Sequence, residues 1–258
     1  MTFAQALKEV RDPYERKARM TPGLLVILPL LIPILWTFGA RNPLLTASLG
    51  LVTSCGVIYG LASIARGRGK LLEERLIRKW GGMPSTIVLR HRDDFLDRVT
   101  KARYHEEIAK KLGIRMPSEV EEAEDPVTAD ASYIAAARAL RERTRGKPYG
   151  LLLKENIAYG FHRNMCAMRL YGVVASLIGM VAGVVLSKTV QLHPFFLDLD
   201  RITPAGGVTC AVSLAMLVAW LYFSPDAVRR IGYVYAERLF EALKSLRASR
   251  AAAETGQA

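Results

Sequence analysis

Four long stretches of this chain carry almost no charge, and they decide most of what it can fold into: Gly23–Ala40, Leu44–Ala65, Leu170–Ser187 and Gly206–Ser224. A helix needs roughly 20 mostly apolar residues to cross a hydrocarbon core about 30 Å thick, and all four come close. One such run also suits a buried soluble helix. Four in a chain of 258 residues, whose mean hydropathy is only +0.15 because the remainder is very polar, predict membrane spans. A cleaved signal peptide is not expected. The first run follows the mixed-charge segment Lys8–Arg19, and Arg41-Asn42-Pro43 leads directly into the second run with no A-x-A-like site.

Charge placement predicts the orientation. The formal net charge is +12, and the 66–169 segment alone carries 22 basic and 15 acidic residues. Arg66, Arg68 and Lys70 follow the second run, Arg163 and Arg169 precede the third, and Arg229 and Arg230 follow the fourth. Lys and Arg beside span ends mark the cytoplasmic side. The expected fold is therefore an all-α membrane protein with both termini cytoplasmic, placed in the inner (plasma) membrane. A cytosolic segment, 1–22, leads into a transmembrane hairpin, 23–65, with spans 23–40 and 44–65. A helical cytosolic domain, 66–169, leads into a second hairpin, 170–224, with spans 170–187 and 206–224. A cytosolic helix, 225–258, ends the chain. Cys55, Cys166 and Cys210 have neither metal-ligand nor disulfide-framework spacing and read as reduced thiols.

Small residues recur every fourth position in three spans: Gly56 and Gly60; Ala175, Gly179 and Gly183; Ala211, Ala215 and Ala219. In lipid, close backbone approach along such faces is what drives helix association. Packing within one bundle and packing between subunits are both open. Pro29 and Pro33 interrupt the first span, and each removes a backbone donor, which membrane helices tolerate where neighbours satisfy the freed carbonyls. A kinked helix lining a pore is one reading, and ordinary kinking against the bundle is the other. No span has a charged residue or His in its centre, which argues against transporters, pumps and voltage sensors. A pore gated by an apolar constriction stays open. Four helices are too few for a wide pore, so it would need a homo-oligomer, with a tetramer the favoured count.

The cytosolic segment reads as helical over Lys70–Trp80, about 94–112, about 129–144 and about 151–165, with the last expected to run into span three. Gly81-Gly82 and Gly113 are breakers. Residues 117–130, acidic and holding Pro126, are expected as an exposed loop. The tail carries an apolar stripe, Val228, Ile231, Val234, Leu239, Leu243 and Leu246, suited to packing on the cytosolic domain or on another subunit.

Basic residues gather in two places. One holds Arg90, His91, Arg92, Arg98, Lys101 and Arg103 with Tyr104 and His105; the other holds Arg138, Arg141, Arg143, Arg145 and Lys147 with Tyr149. Guanidinium groups interleaved with aromatic rings suit phosphates and stackable bases. Solvated helix faces and anionic lipid headgroups are the competing readings. The residues selected for phosphate and base contacts are Arg90, Arg92, Lys101, Arg103, Tyr104, Arg141, Arg143, Lys147 and Tyr149. Those selected for the pore and helix packing are Pro29, Pro33, Gly56, Gly60, Gly179 and Gly183. Catalytic signals are weak. His105-Glu106-Glu107 lacks the second histidine of a zinc helix, and no P-loop, nucleophile elbow or dinucleotide fingerprint occurs. No cofactor and no metal is expected. A hydrolase built on His91, Asp93 and Glu106 is a minor alternative.

Several segments are familiar together: Lys79-Trp80-Gly81-Gly82-Met83-Pro84, Leu89-Arg90-His91-Arg92-Asp93, Thr100–His105, Asp125-Pro126 and Lys154–Asn164. With two flanking span pairs, they resemble bacterial membrane effectors of nucleotidyltransferase-linked anti-phage systems, the Hailong and CBASS-like class. The resemblance implies a cytosolic nucleotidyltransferase partner. Its nucleotide or short single-stranded nucleic acid product would control an oligomeric channel. The expected function is accordingly an ion-conducting effector rather than an enzyme. The alternative is a non-channel scaffold that recruits a soluble partner through the cytosolic domain and tail.

Overall fold

The computed structural model describes residues 12–39, 47, 50, 58–187, 190–192, 195–197 and 202–246; the side chains of 58, 147, 190–192 and 195–197 lie outside that description. Most of the second expected span, with Gly56, also lies outside it. The described chain is helical apart from one short hairpin. Its helices are α1 (Glu15–Gly39), α2 (Ile58–Trp80), α3 (Pro84–Ile87), α4 (Arg98–Leu112), α5 (Glu119–Glu124), α6 (Pro126–Arg143), α7 (Gly150–Ser187), α8 (Pro204–Tyr222) and α9 (Pro225–Glu241). Three of them, α1, α7 and α8, are long and apolar enough to cross a membrane, the mark of a membrane protein. Residues 1–73 with 160–228 form one compact unit, and 74–159 with 229–258 form another.

In the first unit α1, α7 and α8 pack through small residues and proline. A side chain at Gly179 would lie 2.9 Å from Pro29 Cβ and 2.8 Å from its carbonyl oxygen. One at Gly183 would lie 2.9 Å from the Cys210 amide. Gly172 gives up its place to the indole of Trp220, which is fully buried. Pro29 and Pro33 are themselves buried, and the Thr37 hydroxyl donates to the Pro33 carbonyl one turn back (2.7 Å), the back-bond of a helical threonine. Outward, Leu170, Val174, Leu177, Ile178, Val181 and Val185 form an exposed apolar stripe on α7, a surface that suits lipid and not water.

Not every small-residue face is used among the described residues. None of them has an atom within 4 Å of where a side chain at Gly60 would start. Ala211 and Ala215 are exposed, while the packing side of α8 is Gly206, Thr209, Ser213 and Trp220. Polar groups also enter this unit. Asn164 is fully buried and donates to the Ala18 carbonyl (2.6 Å), beside an Arg163–Glu73 ion pair (2.9 Å). A side chain at Gly69 would lie 3.3 Å from Arg163 Nε, so glycine there lets α2 approach α7. Within the 188–205 connection, β1 (Val190–Leu192) and β2 (Phe195–Leu197) pair antiparallel, an element the sequence reading did not contain.

The second unit corrects two expectations. The acidic 117–130 stretch is not a loop. Ser118 and Glu121 form a capping box that starts α5, and Asp125 accepts from the Val127 and Thr128 amides (both 3.1 Å) to start α6 with Pro126 in its first turn. Carboxylates at helix N-termini answer the exposed amides there. Helix α4 begins at Arg98 rather than near 94, because Asp97 caps it through the Thr100 amide (2.8 Å), and Gly113 closes it at φ +70°. The tail packs within this unit: Leu239, Phe240, Leu243 and Leu246 are buried, and Lys111 donates to the Leu243 carbonyl (2.6 Å). Val234, assigned to the stripe, is exposed.

Candidate functional site

The Arg90-His91-Arg92 segment is folded inward. Arg90 makes a two-pronged pair with Asp130 of α6 (Nε–Oδ1 2.8 Å, Nη2–Oδ2 2.6 Å) and also donates to the Gly81 carbonyl (2.6 Å). Arg92 bridges Glu122 of α5 (2.9 Å) and Asp130 (3.2 Å). Glu122 is 2% exposed and accepts four hydrogen bonds. They come from the His91 amide (2.7 Å), the Arg92 amide (3.3 Å), the Arg92 guanidinium and the Tyr133 phenol (2.6 Å). Burial alone would raise the Glu122 carboxyl. The phenol, the amides and the guanidinium together hold it below its ordinary value. Burial and the Glu122 carboxylate push the Tyr133 phenol far above its own.

Two histidines complete the cluster. His91 Nε2 donates to the Pro117 carbonyl (3.0 Å) and His105 Nε2 to the Leu89 carbonyl (2.8 Å), since a carbonyl can only accept. Their rings meet edge-on at 4.8 Å. Burial lowers the His105 pKa, only partly offset by the Leu89 carbonyl, so the ring is neutral near pH 7. Lys101 is 4% exposed and donates to the Asp93 and His91 carbonyls. Tyr104 is 3% exposed and lies against Phe240, so its ring has no free face for a base. Of the first basic cluster, Arg103 is exposed with its guanidinium 5.6 Å from the Tyr104 ring. Arg90, Lys101 and Tyr104 are thus structural in this conformation, and Arg92 is half-committed.

The second cluster is different. The C-terminal end of α6, the Lys147–Tyr149 turn, the start of α7 and one residue of α9 enclose a groove of about 570 Å³. Arg141, Arg145, Tyr149, Leu152, Asn156 and Tyr235 are among its walls. Among the described residues Arg141 and Arg145 make no hydrogen bond and no ion pair. Arg143 instead donates to the Lys111 carbonyl (2.7 Å) and is not part of the lining, and the Lys147 side chain lies outside the described residues. Arg141 also borders a second cavity of about 480 Å³ with Arg78, Arg90 and Asp130. Groove volumes in this range suit small-molecule ligands.

Asn156 and Tyr235 were not singled out from the sequence. Tyr149, Leu152, Leu153 and Asn156 do share a helical face, so the spacing held a signal for Asn156. Tyr235 comes from 79 residues beyond Asn156, and no local pattern announces it. His91, Asp93 and Glu106 are not brought together: among the described residues no three His, Cys, Asp or Glu side chains converge as metal ligands would. Compared with known proteins, the chain shows no significant match to a family model, to a curated protein or to a solved structure.

Proposed function

We propose that this protein is an oligomeric membrane effector whose polar unit binds a nucleotide or short single-stranded nucleic acid and thereby controls an ion-conducting pore. The observation that carries this reading is the groove at the end of α6. It offers two guanidinium groups without partners among the described residues, beside a tyrosine ring, in a chain with three candidate membrane helices. Phosphates would sit on Arg141 and Arg145 and a base against Tyr149. The apolar walls suit a ring, and Asn156 can donate to or accept from a base edge.

The topology we propose has four spans in two hairpin pairs, both termini cytoplasmic, in the inner membrane. The exposed Ala211 and Ala215 of α8, and Gly60, which no described residue approaches within 4 Å, are available for contact between subunits, tetrameric in our reading. Ligand would act by binding one assembly state better than another. A cytosolic nucleotidyltransferase as the source of the ligand, and a place in anti-phage defence, follow from the resemblance described above. The scaffold alternative rests on the acidic stretch and the tail stripe: Glu122, Leu239, Leu243 and Leu246 are buried, while Val120, Glu124 and Val234 stay exposed.

Binding of a labelled single-stranded oligodeoxynucleotide to the detergent-solubilised full chain tests the site. Two phosphate contacts on a single strand give a log–log salt slope of about −1.4, so a fourfold rise in salt weakens binding about sevenfold. Replacing both Arg141 and Arg145 by Ala should remove that slope. Unchanged binding in the double variant would contradict the assignment.

A further inference from the structure

We infer that the first unit holds a binding site for one anionic phospholipid, in a groove between α1, α2 and α7; the inference rests on the membrane reading of those helices. The groove has a volume of about 580 Å³. Val26 of α1, Ile64 of α2 and Met168 of α7 are among its apolar walls, with Arg68 and Tyr171 also lining it. The Arg68 guanidinium is 5.3 Å from the centre of the Tyr171 ring, and both side chains are exposed. Leu61, Ile64, Arg68 and Leu71 share one face of α2 by their three- and four-residue spacing. From Leu61 to Arg68 the helix rises roughly 10 Å, so an acyl chain can lie along the apolar residues while its phosphate reaches the guanidinium.

The charge selects the headgroup. Arg66 and Lys70 flank Arg68, and no described lining residue is acidic. Basic pockets between membrane helices on the cytoplasmic side hold anionic headgroups in this way. Gly67 lines the groove and, among the described residues, has no atom within 4 Å of where a side chain would start. The glycine therefore leaves the groove open, and a larger residue can fill it without displacing a neighbour.

Native mass spectrometry of the full chain, released from detergent after mixing with phosphatidylglycerol or phosphatidylcholine, tests the site. Wild type should retain one phosphatidylglycerol about tenfold better than phosphatidylcholine. Arg68→Ala should bring that preference close to one, and Gly67→Leu should reduce retention of both lipids about tenfold. Arg103→Ala, in the other unit, should change neither. Equal retention of the two lipids by wild type overturns the proposal whatever the variants do. A wild-type dimer that Gly67→Leu dissociates, with no lipid retained, overturns it in favour of a second copy in the groove. Alkaline extraction separates the two levels. A chain released from membranes defeats the membrane reading itself, whereas an embedded chain indifferent to headgroup defeats only the lipid site.

Discussion

Glu122 and His105 sit in one buried network, and protons should act on both in the same direction. The His105 pKa is held below its ordinary 6.5, so the unfolded chain binds a proton there before the folded chain does. Stability contributed by the neutral buried ring is present above pH 6.5 and is lost as pH falls below it. Glu122, depressed below 4.5, adds stability that is present above pH 4.5 and is lost as pH falls through its folded pKa. Thermal melts of the purified chain should therefore show a decline in two stages on acidification. His105→Gln, which keeps a donor for the Leu89 carbonyl, should flatten the first stage and leave the second. A melting temperature that rises between pH 6.5 and 5 would refute the placement of these groups. The basic residues of this network were legible as charge and not as structure. Arg90 and Arg92 meet Asp130 and Glu122 at separations of 40 and 30 residues, and no local spacing predicts a partner so far along the chain.

The helices were more legible than their contacts. Apolar runs and breakers located α1, α7, α8 and the C-terminal ends of α2 and α4, because a span or a glycine stop is a local property. The acidic stretch has the composition of a loop and is helical all the same. The Ser118–Glu121 box and the Asp125 cap were nevertheless present in the sequence. Small residues at four-residue spacing identified faces but not what they face. Gly179 packs on Pro29 and Ser213, whereas Gly60 meets nothing within 4 Å among the described residues. Gly179→Leu should overpack α1 against α7 and destabilise the unit by about 1–3 kcal/mol. Gly60→Leu should leave the folded monomer intact. Thermal stability in detergent, followed by size-exclusion chromatography, distinguishes them. Equal losses in both variants would contradict the packing described here, and loss of assembly in Gly60→Leu alone would place that face between subunits.

Across the whole molecule, two features combine: helices built to sit in lipid, and a polar unit with a basic groove. The spans carry no central charge that could relay protons or sense voltage. The polar unit commits most of its first basic cluster to its own core and leaves Arg141 and Arg145 facing a groove. The proposed function requires that ligand in that groove change the behaviour of the spans. Planar-bilayer recording of the purified chain, with and without a short single-stranded oligodeoxynucleotide, tests this directly. The account predicts discrete conductance steps whose open probability changes on adding the oligonucleotide, with the response abolished when Arg141 and Arg145 are both Ala. An absence of conductance in every condition would contradict it.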